Sequence, residues 1–270
     1  MTFHIVTHRR WLAEEFAAVG GVLDHGFDID PSTAHRDTWW ASGAWVAGAA
    51  AAGVRLPVLS AGPRWLAELP HDLTRRRIAV GTAEDCRRQA RSWNADAVWC
   101  KLPEAKSDRM PADLVAVDDI PTPDALPGLD ADTLLHISEP LAGLWAEARF
   151  FCSPDHISAG APYLVHGLGH DDPAFRPDDL LDALPSLRET AERAYLHGGG
   201  PPGVAIDVGL CAQGPVVIEA NAAWSSHPYG TDPAEVRAAI EAAHDRTGDG
   251  ERWLFDVTAV PRPWPRVMLV

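Results

Sequence analysis

The sequence predicts a mixed α/β and α+β protein: an open, mostly parallel α/β domain over residues 1–95, then a more strand-rich remainder. Two observations predict it. Short apolar strands alternate with helical segments over the first 95 residues, which is how a parallel sheet covered by helices is written in sequence. After residue 96 the strands crowd together, and one long amphipathic helix precedes a β-hairpin.

Residues 3–6 form a short apolar strand, and Leu12, Phe16 and Val19 have helical spacing up to Gly20-Gly21. Residues 22–40 are ambiguous, with turn residues around Pro31; a helix over 43–52 follows. The segments 56–59 and 77–80 are expected as the second and third strands, around a short helix at 63–69. Thr82 caps a helix over 83–93. Strands follow at 96–101, 114–117 and 133–137, the last leading into Ser138-Glu139-Pro140. Two more, at 145–152 and 156–160, turn at Ser153-Pro154-Asp155. A helix over 178–196 leads to the hairpin, and Asp232-Pro233 opens the last helix. A closing strand is expected at 252–257.

The hairpin, residues 203–221, carries the chemistry. Val204, Ile206 and Val208 alternate with Ala205, Asp207 and Gly209, and the return strand ends in Glu219-Ala220-Asn221. Glu219 and Asn221 leave one face of their strand, and Asp207 joins them if the register allows. An isolated carboxylate on an apolar strand is costly to bury. Two carboxylates and an amide oxygen together suit Mg²⁺, which takes few protein ligands and leaves room for water and phosphate. On that reading Asp207 and Glu219 are ligands and not supports of the core. The alternative is an edge strand with solvated acids.

The formal net charge of −15 opposes nucleic acid as a partner. No apolar run reaches the length of a membrane span, and residues 1–6 enter a strand without a signal segment, so a cytoplasmic protein is expected. Four scattered cysteines read as free thiols in a reducing compartment. Of the 23 basic residues only Lys101 and Lys106 are lysines, and they lie five apart. Lysine is a compact charge on a flexible stem, so their clustering suggests a site that uses ammonium groups; the alternative is an exposed turn. No G-x-G-x-x-G follows the first strand, which leaves no basis for a nicotinamide or flavin site.

The order of these parts resembles the ATP-grasp superfamily of carboxylate–amine ligases, and among them divergent stand-alone members. The parts are a strand lysine, a loop lysine, a strand into Ser-Glu-Pro, Glu147-x-Arg149 on a strand, a long helix, and Asp207 with Glu219-x-Asn221. The resemblance implies an N-terminal domain (1–95) followed by a two-lobed ATP-binding unit, with a small lobe over 96–138 and a large lobe over 139–270. It implies ATP and Mg²⁺. Lys101 and Lys106 would contact the nucleotide, the backbone of Ile137, Ser138 and Glu139 would lie beside the adenine, and Glu139 or Glu147 would bind ribose. Arg149 and Lys106 would act on the transferring phosphoryl group, and Asp207, Glu219 and Asn221 would hold Mg²⁺. An acylphosphate formed from a carboxylate would be attacked by an amine, joining small-molecule or peptide substrates. Trp224, Ser225 and His227 are candidates for substrate contact, with Ser226 and Tyr229 beside them. A homodimer is compatible with this reading. The chain departs from the family pattern in having no Gly-rich loop after Lys106; His197-Gly-Gly-Gly200 reads as a connection.

Other readings stay open. His166 and His170 have the spacing of zinc ligands, as in a metallohydrolase, but two glycines lie between them and no Glu adjoins the first. His197-Gly-Gly-Gly200 resembles an esterase oxyanion loop without any G-x-S-x-G. Arg149 would alternatively form a structural ion pair with Glu147 or Glu139. A nucleotide-binding protein without turnover would keep the same lysines.

Overall fold

The computed structural model of the protein describes residues 1–24, 28–104, 110–122, 130–197 and 200–270. At the N-terminus, β1 (Phe3–Val6) buries Phe3 and Ile5 on one face. α1 (Arg10–Ala17) covers that face through Leu12 and Phe16, four residues apart. β2 (Gly21–Asp24) lies parallel to β1; β3 (Asp28–Ile29) is a two-residue strand apart from it. β4 (Thr38–Trp40) pairs on the other side of β1, so the sheet order is β2-β1-β4, all parallel. α2 (Gly43–Ala51), capped by the Ser42 hydroxyl accepting from Trp45 N–H, is apolar nearly all round and is accordingly buried.

The parallel sheet ends there. Leu56, Val58 and Leu59 are buried as an apolar segment should be, but Pro57 breaks the run. Only isolated bridges form, Val58 with His244 and Leu59 with Leu254, in place of the expected second strand.

After the short helices α3 (Trp65–Glu68) and α4 (His71–Thr74) comes a four-stranded antiparallel sheet. It contains β5 (Ile78–Gly81), which is followed by α5 (Ala83–Ser92), together with β6 (Ala97–Lys101), β7 (Asp113–Ala116) and β8 (Leu135–Ser138). The order is β5-β8-β6-β7, so the strand expected third in the N-terminal domain is an edge of this sheet instead. Its partner β8 arrives more than fifty residues later, and pairing at that distance leaves no trace in local spacing. Thr82 and Asp85 cap α5 reciprocally. α5 covers one face of the sheet, where Cys86, Ala90 and Trp93 pack on Val98, Cys100, Leu135 and Ile137. Alternation sends Trp99, Lys101, His136 and Ser138 to the other face.

The remainder is a six-stranded antiparallel sheet of order β12-β11-β9-β13-β14, with β10 also paired to β9. Its strands are β9 (Ala146–Ser153), β10 (His156–Ile157), β11 (Ala161–Val165), β12 (Leu168–Gly169) and, beyond α6 (Leu184–Leu196), β13 (Val204–Cys211) and β14 (Gly214–Ala222). α6 begins later than the sequence suggests because Pro177–Ala183 is a 3-10 segment. Leu187, Ala191 and Ala194 of α6 pack on Phe150, Cys152, Val204, Ile206 and Val208, the apolar face of the sheet. α7 (Pro233–Ala242), capped by Asp232 on Ala234 N–H at 2.7 Å, packs under β9 and β4. The expected closing strand is two 3-10 turns, Glu251–Trp253 and Val257–Ala259; β15 (Met268–Leu269) pairs with β3 near the C-terminus. All four cysteines are buried and unbridged, and among the described residues no helix is long and apolar enough to cross a membrane.

Gly160, at φ +90°, lets the chain pass over the Phe150 ring: a Cβ there would sit 2.2 Å from the ring carbon Cε1. Gly160→Ala is therefore expected to destabilise the protein by about 2–4 kcal/mol. Urea unfolding checks this, and a midpoint equal to wild type would contradict it.

Candidate active site

The polar face of the large sheet is built by register. Asp207 on β13 lies opposite Arg149 on β9 and opposite Glu219 on β14, and Ala205 lies opposite Asn221. The pairing slips between Asp207 and Val208, so Ile218 is the extra residue of a β-bulge. Glu147, Arg149, Asp207, Glu219 and Asn221 thus come together, as the hairpin reading expects.

Arg149 does not pair with Glu147 or Glu139. Its guanidinium grips Asp207 with two bonds, Nε to Oδ1 and Nη2 to Oδ2, each 2.7 Å, and Nη1 donates to the His227 carbonyl at 3.2 Å. Arg149 is 2% exposed and Asp207 0%. Burial disfavours the Arg149 charge, but the Asp207 carboxylate outweighs it and raises the guanidinium pKa. Asp207 is consequently a support of the core as well as a candidate ligand, contrary to the expectation that it is dispensable for folding. Asn221 Nδ2 bridges the acids, donating to Asp207 Oδ2 at 3.1 Å and Glu219 Oε1 at 2.8 Å. Lys101, from the facing sheet, donates to Glu219 Oε2. Glu147 accepts from the Tyr163 hydroxyl. Burial first, and then the charges of Asp207 and Glu219, push its carboxyl up to about 7.

A cavity of about 470 Å³ lies between the two sheets, lined by Trp99, Lys101, His136 and Ser138 on one side and Glu147, Ile218 and Glu219 on the other. Burial, and then Lys101 and Arg76, push His136 down to about 3, so it is neutral. Ile137 takes no side-chain part: it is fully buried on the α5 face, and its backbone lies inside the ladder between Ala79 and Cys100. The chain leaves that ladder at Glu139, whose carboxylate borders the cavity but is held by Arg77, accepting from its backbone N–H at 2.8 Å and from its guanidinium. Lys106 lies outside the described residues.

Two residues here escape the sequence reading. Arg76, buried, donates to the carbonyls of Thr74, Val217 and Ile218 at 2.8–2.9 Å, which fixes the bulge of β14. Burial lowers its pKa to about 10, so it stays cationic at neutral pH. The run Arg75-Arg76-Arg77 was the signal available. Trp99, 42% exposed, stands two residues before Lys101 on the same strand face, which alternation could have shown.

A second cavity, of about 290 Å³, lies beyond Arg149 and Asn221 and is lined by Glu104, Ser225, His227 and Tyr229 among others. Trp224 borders it too, but as a core side chain: it is 1% exposed, donates to the Leu59 carbonyl at 2.7 Å and meets the Phe255 ring edge-on. Ser225 is exposed and Ser226 buried. Tyr229, with left-handed φ of 53°, lays its ring 4.9 Å from the Arg149 guanidinium and stacks on Tyr163. His227 is pushed down to about 4 by burial first and by its neighbours His170 and Arg149.

Among the described residues no three His, Cys, Asp or Glu side chains form a metal cage by themselves. Two carboxylates and an amide oxygen nonetheless fit Mg²⁺, which relies on phosphate and water for its remaining positions. The zinc reading loses its geometry, because His166 stacks on Trp145 while His170 meets Tyr229.

Asp207→Asn would leave Arg149 buried without its counter-charge, a loss of about 3–5 kcal/mol, and adding Arg149→Met should recover much of it. Urea unfolding of the single and double variants tests this; an Asp207→Asn protein as stable as wild type would contradict it. Glu147 has a second consequence. The unfolded chain releases this proton near 4.5 and the folded one at about 7, so the native state holds the extra proton between these values. Stability therefore falls as pH rises through that window, and Glu147→Gln should flatten the fall. Melting temperatures at about pH 5 and about pH 7.5 measure it; an unchanged slope would contradict it.

Residues 73–239, more than half of the chain, match a family model described as an ATP-grasp domain, the second family of its clade. No curated protein is a match. Among solved structures, the D-alanine–D-alanine ligase of Bacillus anthracis aligns over 90% of this chain and 97% of its own, with TM-score 0.52 at 9% identity. A RimK domain ATP-grasp protein of Sphaerobacter thermophilus aligns over 89% and 99%, with TM-score 0.48 at 21% identity. The macrocyclase MdnC of Microcystis aeruginosa, bound with its precursor peptide MdnA, aligns over 91% and 100%, with TM-score 0.47 at 12% identity. At such identities the first of these carries a shared fold, and the family match carries the assignment. With a cleft between two antiparallel sheets and the matched segment spanning both of them, the chain belongs to the ATP-grasp domain family.

Proposed function

We propose that the protein is an ATP-dependent carboxylate–amine ligase, with ATP in the cavity between the two sheets and the acceptor substrate in the second cavity. The observation that carries this reading is the meeting of opposite charges across one cleft: Lys101 from the small sheet reaches Glu219 of the metal-type set on the large sheet. The cavity also offers what a nucleotide needs, an aromatic ring (Trp99) for the base and cations for the phosphates (Lys101, Arg76). A lysine–phosphate contact at ~4 Å and an effective dielectric of ~20 contributes about 4 kcal/mol before desolvation. Glu139 and Glu147 border the cavity where ribose hydroxyls would lie.

Asp207, Glu219 and Asn221 would hold Mg²⁺, which when bound supplies charge neutralisation and polarises phosphate oxygens. Arg149 has five N–H donors, of which three are used, so two remain for a phosphoryl or acyl oxygen. A substrate carboxylate oxygen attacks the γ-phosphorus and ADP leaves. The amine then attacks the acyl carbon, phosphate leaves with the carbonyl–oxygen bond, and the amine loses a proton. No protein nucleophile is required. Both substrates are small molecules or peptides on this reading.

Calorimetry with a non-hydrolysable ATP analogue and Mg²⁺, and an ADP-release assay with pooled amino acids and short peptides, test the proposal. Lys101→Met should weaken nucleotide binding by roughly tenfold or more, about 1.4 kcal/mol. Wild-type protein that binds no nucleotide would overturn the reading. Binding without release above background across the pool would leave a nucleotide-binding protein without ligase turnover.

A further inference from the structure

We propose that Glu104 recognises a primary ammonium group on the substrate of the second cavity, so that this cavity takes a free amino acid or the N-terminal residue of a peptide. The inference deepens the ligase reading and rests on it.

The carboxylates that face the cleft have cationic or phenolic partners: Asp207 has Arg149, Glu219 has Lys101, Glu139 has Arg77 and Glu147 has Tyr163. Glu104 differs. It lines the second cavity and accepts from the Ser60 hydroxyl and the Gly62 backbone N–H, both neutral donors. Among the described residues no cation pairs with it, and the nearby carboxylate of Asp256 adds negative potential. Burial raises its pKa accordingly. An acid kept in a largely buried pocket without a counter-ion is costly to the fold. A ligand that brings the missing cation removes that cost, and an alkylammonium is the cation whose chemistry fits a ligase's amine-bearing substrate.

Three further features point the same way. The cavity, about 290 Å³, is at the small end of ligand pockets and has the size for one residue. Arg149 lines it as well and is not paired with Glu104, so positive and negative groups border one space, as a zwitterion requires. His227 accepts the Tyr229 N–H at its Nδ1 (3.0 Å), which puts the proton of the neutral ring on Nε2, and Nε2 has no protein partner. It is a donor awaiting a ligand oxygen. Glu104 also follows Lys101 by three positions, so one short stretch would place both the nucleotide and the amine.

The test measures binding by thermal shift and calorimetry, with and without ADP and Mg²⁺. The probes are the common amino acids in both configurations, a set of dipeptides, and the N-acetylated form of each. The variants are Glu104→Gln, Glu104→Asp and Ser60→Ala. At least one free amine should bind wild type, its acetylated twin should bind weakly or not at all, and Glu104→Gln should lose roughly ten- to a hundredfold in affinity. Glu104→Asp should retain part of the binding and Ser60→Ala most of it, which a purely structural role for Glu104 would not produce. In turnover, Glu104→Gln should raise KM for the amine-bearing substrate and leave KM for ATP unchanged. Equal binding by Glu104→Gln and wild type overturns the assignment, as does equal binding of free and acetylated probes. So does the absence of any response across the panel. Failure of the ATP analogue to bind is read separately and overturns the ligase reading itself.

Discussion

The buried bond between Arg149 and Asp207 is the constraint on which the site depends. Two ions at the centre of a sheet are expensive to desolvate, and only good geometry offsets the cost. The antiparallel register of β9 and β13 supplies it by setting the two residues directly opposite each other. The fork then fixes where everything else stands. Asn221 reaches Asp207 from the next strand, Tyr229 lies over the guanidinium, and the His227 carbonyl accepts its third bond. A slip of one residue would turn all these side chains to the apolar face that packs on α6.

Much of this was written in local sequence. The hairpin, its acids and the shared face of Glu219 and Asn221 follow from a period of two, and the scarcity of lysine drew attention to Lys101. The caps at Thr82 and Asp232 were legible for the same reason: each involves residues within one turn. What was not legible depends on contacts distant in the chain. The membership of Ile78–Gly81 in the antiparallel sheet is decided by β8, and the failure of 56–59 to become a sheet strand by Pro57 and by what lies beside it. Trp224 looked available because it follows the metal-type strand, yet Leu59 and Phe255, one far upstream and one downstream, enclose it. Arg76 reads as one more arginine in a basic run until the carbonyls of β14 appear around it.

The division of labour among the sheets follows from their faces. Each antiparallel sheet keeps an apolar face against one helix, α5 or α6, and both turn their polar faces to a common cleft. The large sheet serves two cavities from adjoining rows: Glu147 and Glu219 border one, Asn221 the other, and Arg149 lies where the rows meet. The bulge at Ile218 contributes here, because the extra residue lets an apolar strand continue into a polar one without changing its partners.

The pairing of Lys101 with Glu219 bears on selectivity among the anions that surround any protein. Inorganic phosphate or a stray carboxylate arriving in the cleft must displace a carboxylate already in contact with the ammonium, and it leaves Glu219 stranded. A triphosphate chelating a divalent ion brings a replacement for each partner at once. The cleft is thereby screened by its own residues and favours visitors that carry both signs of charge.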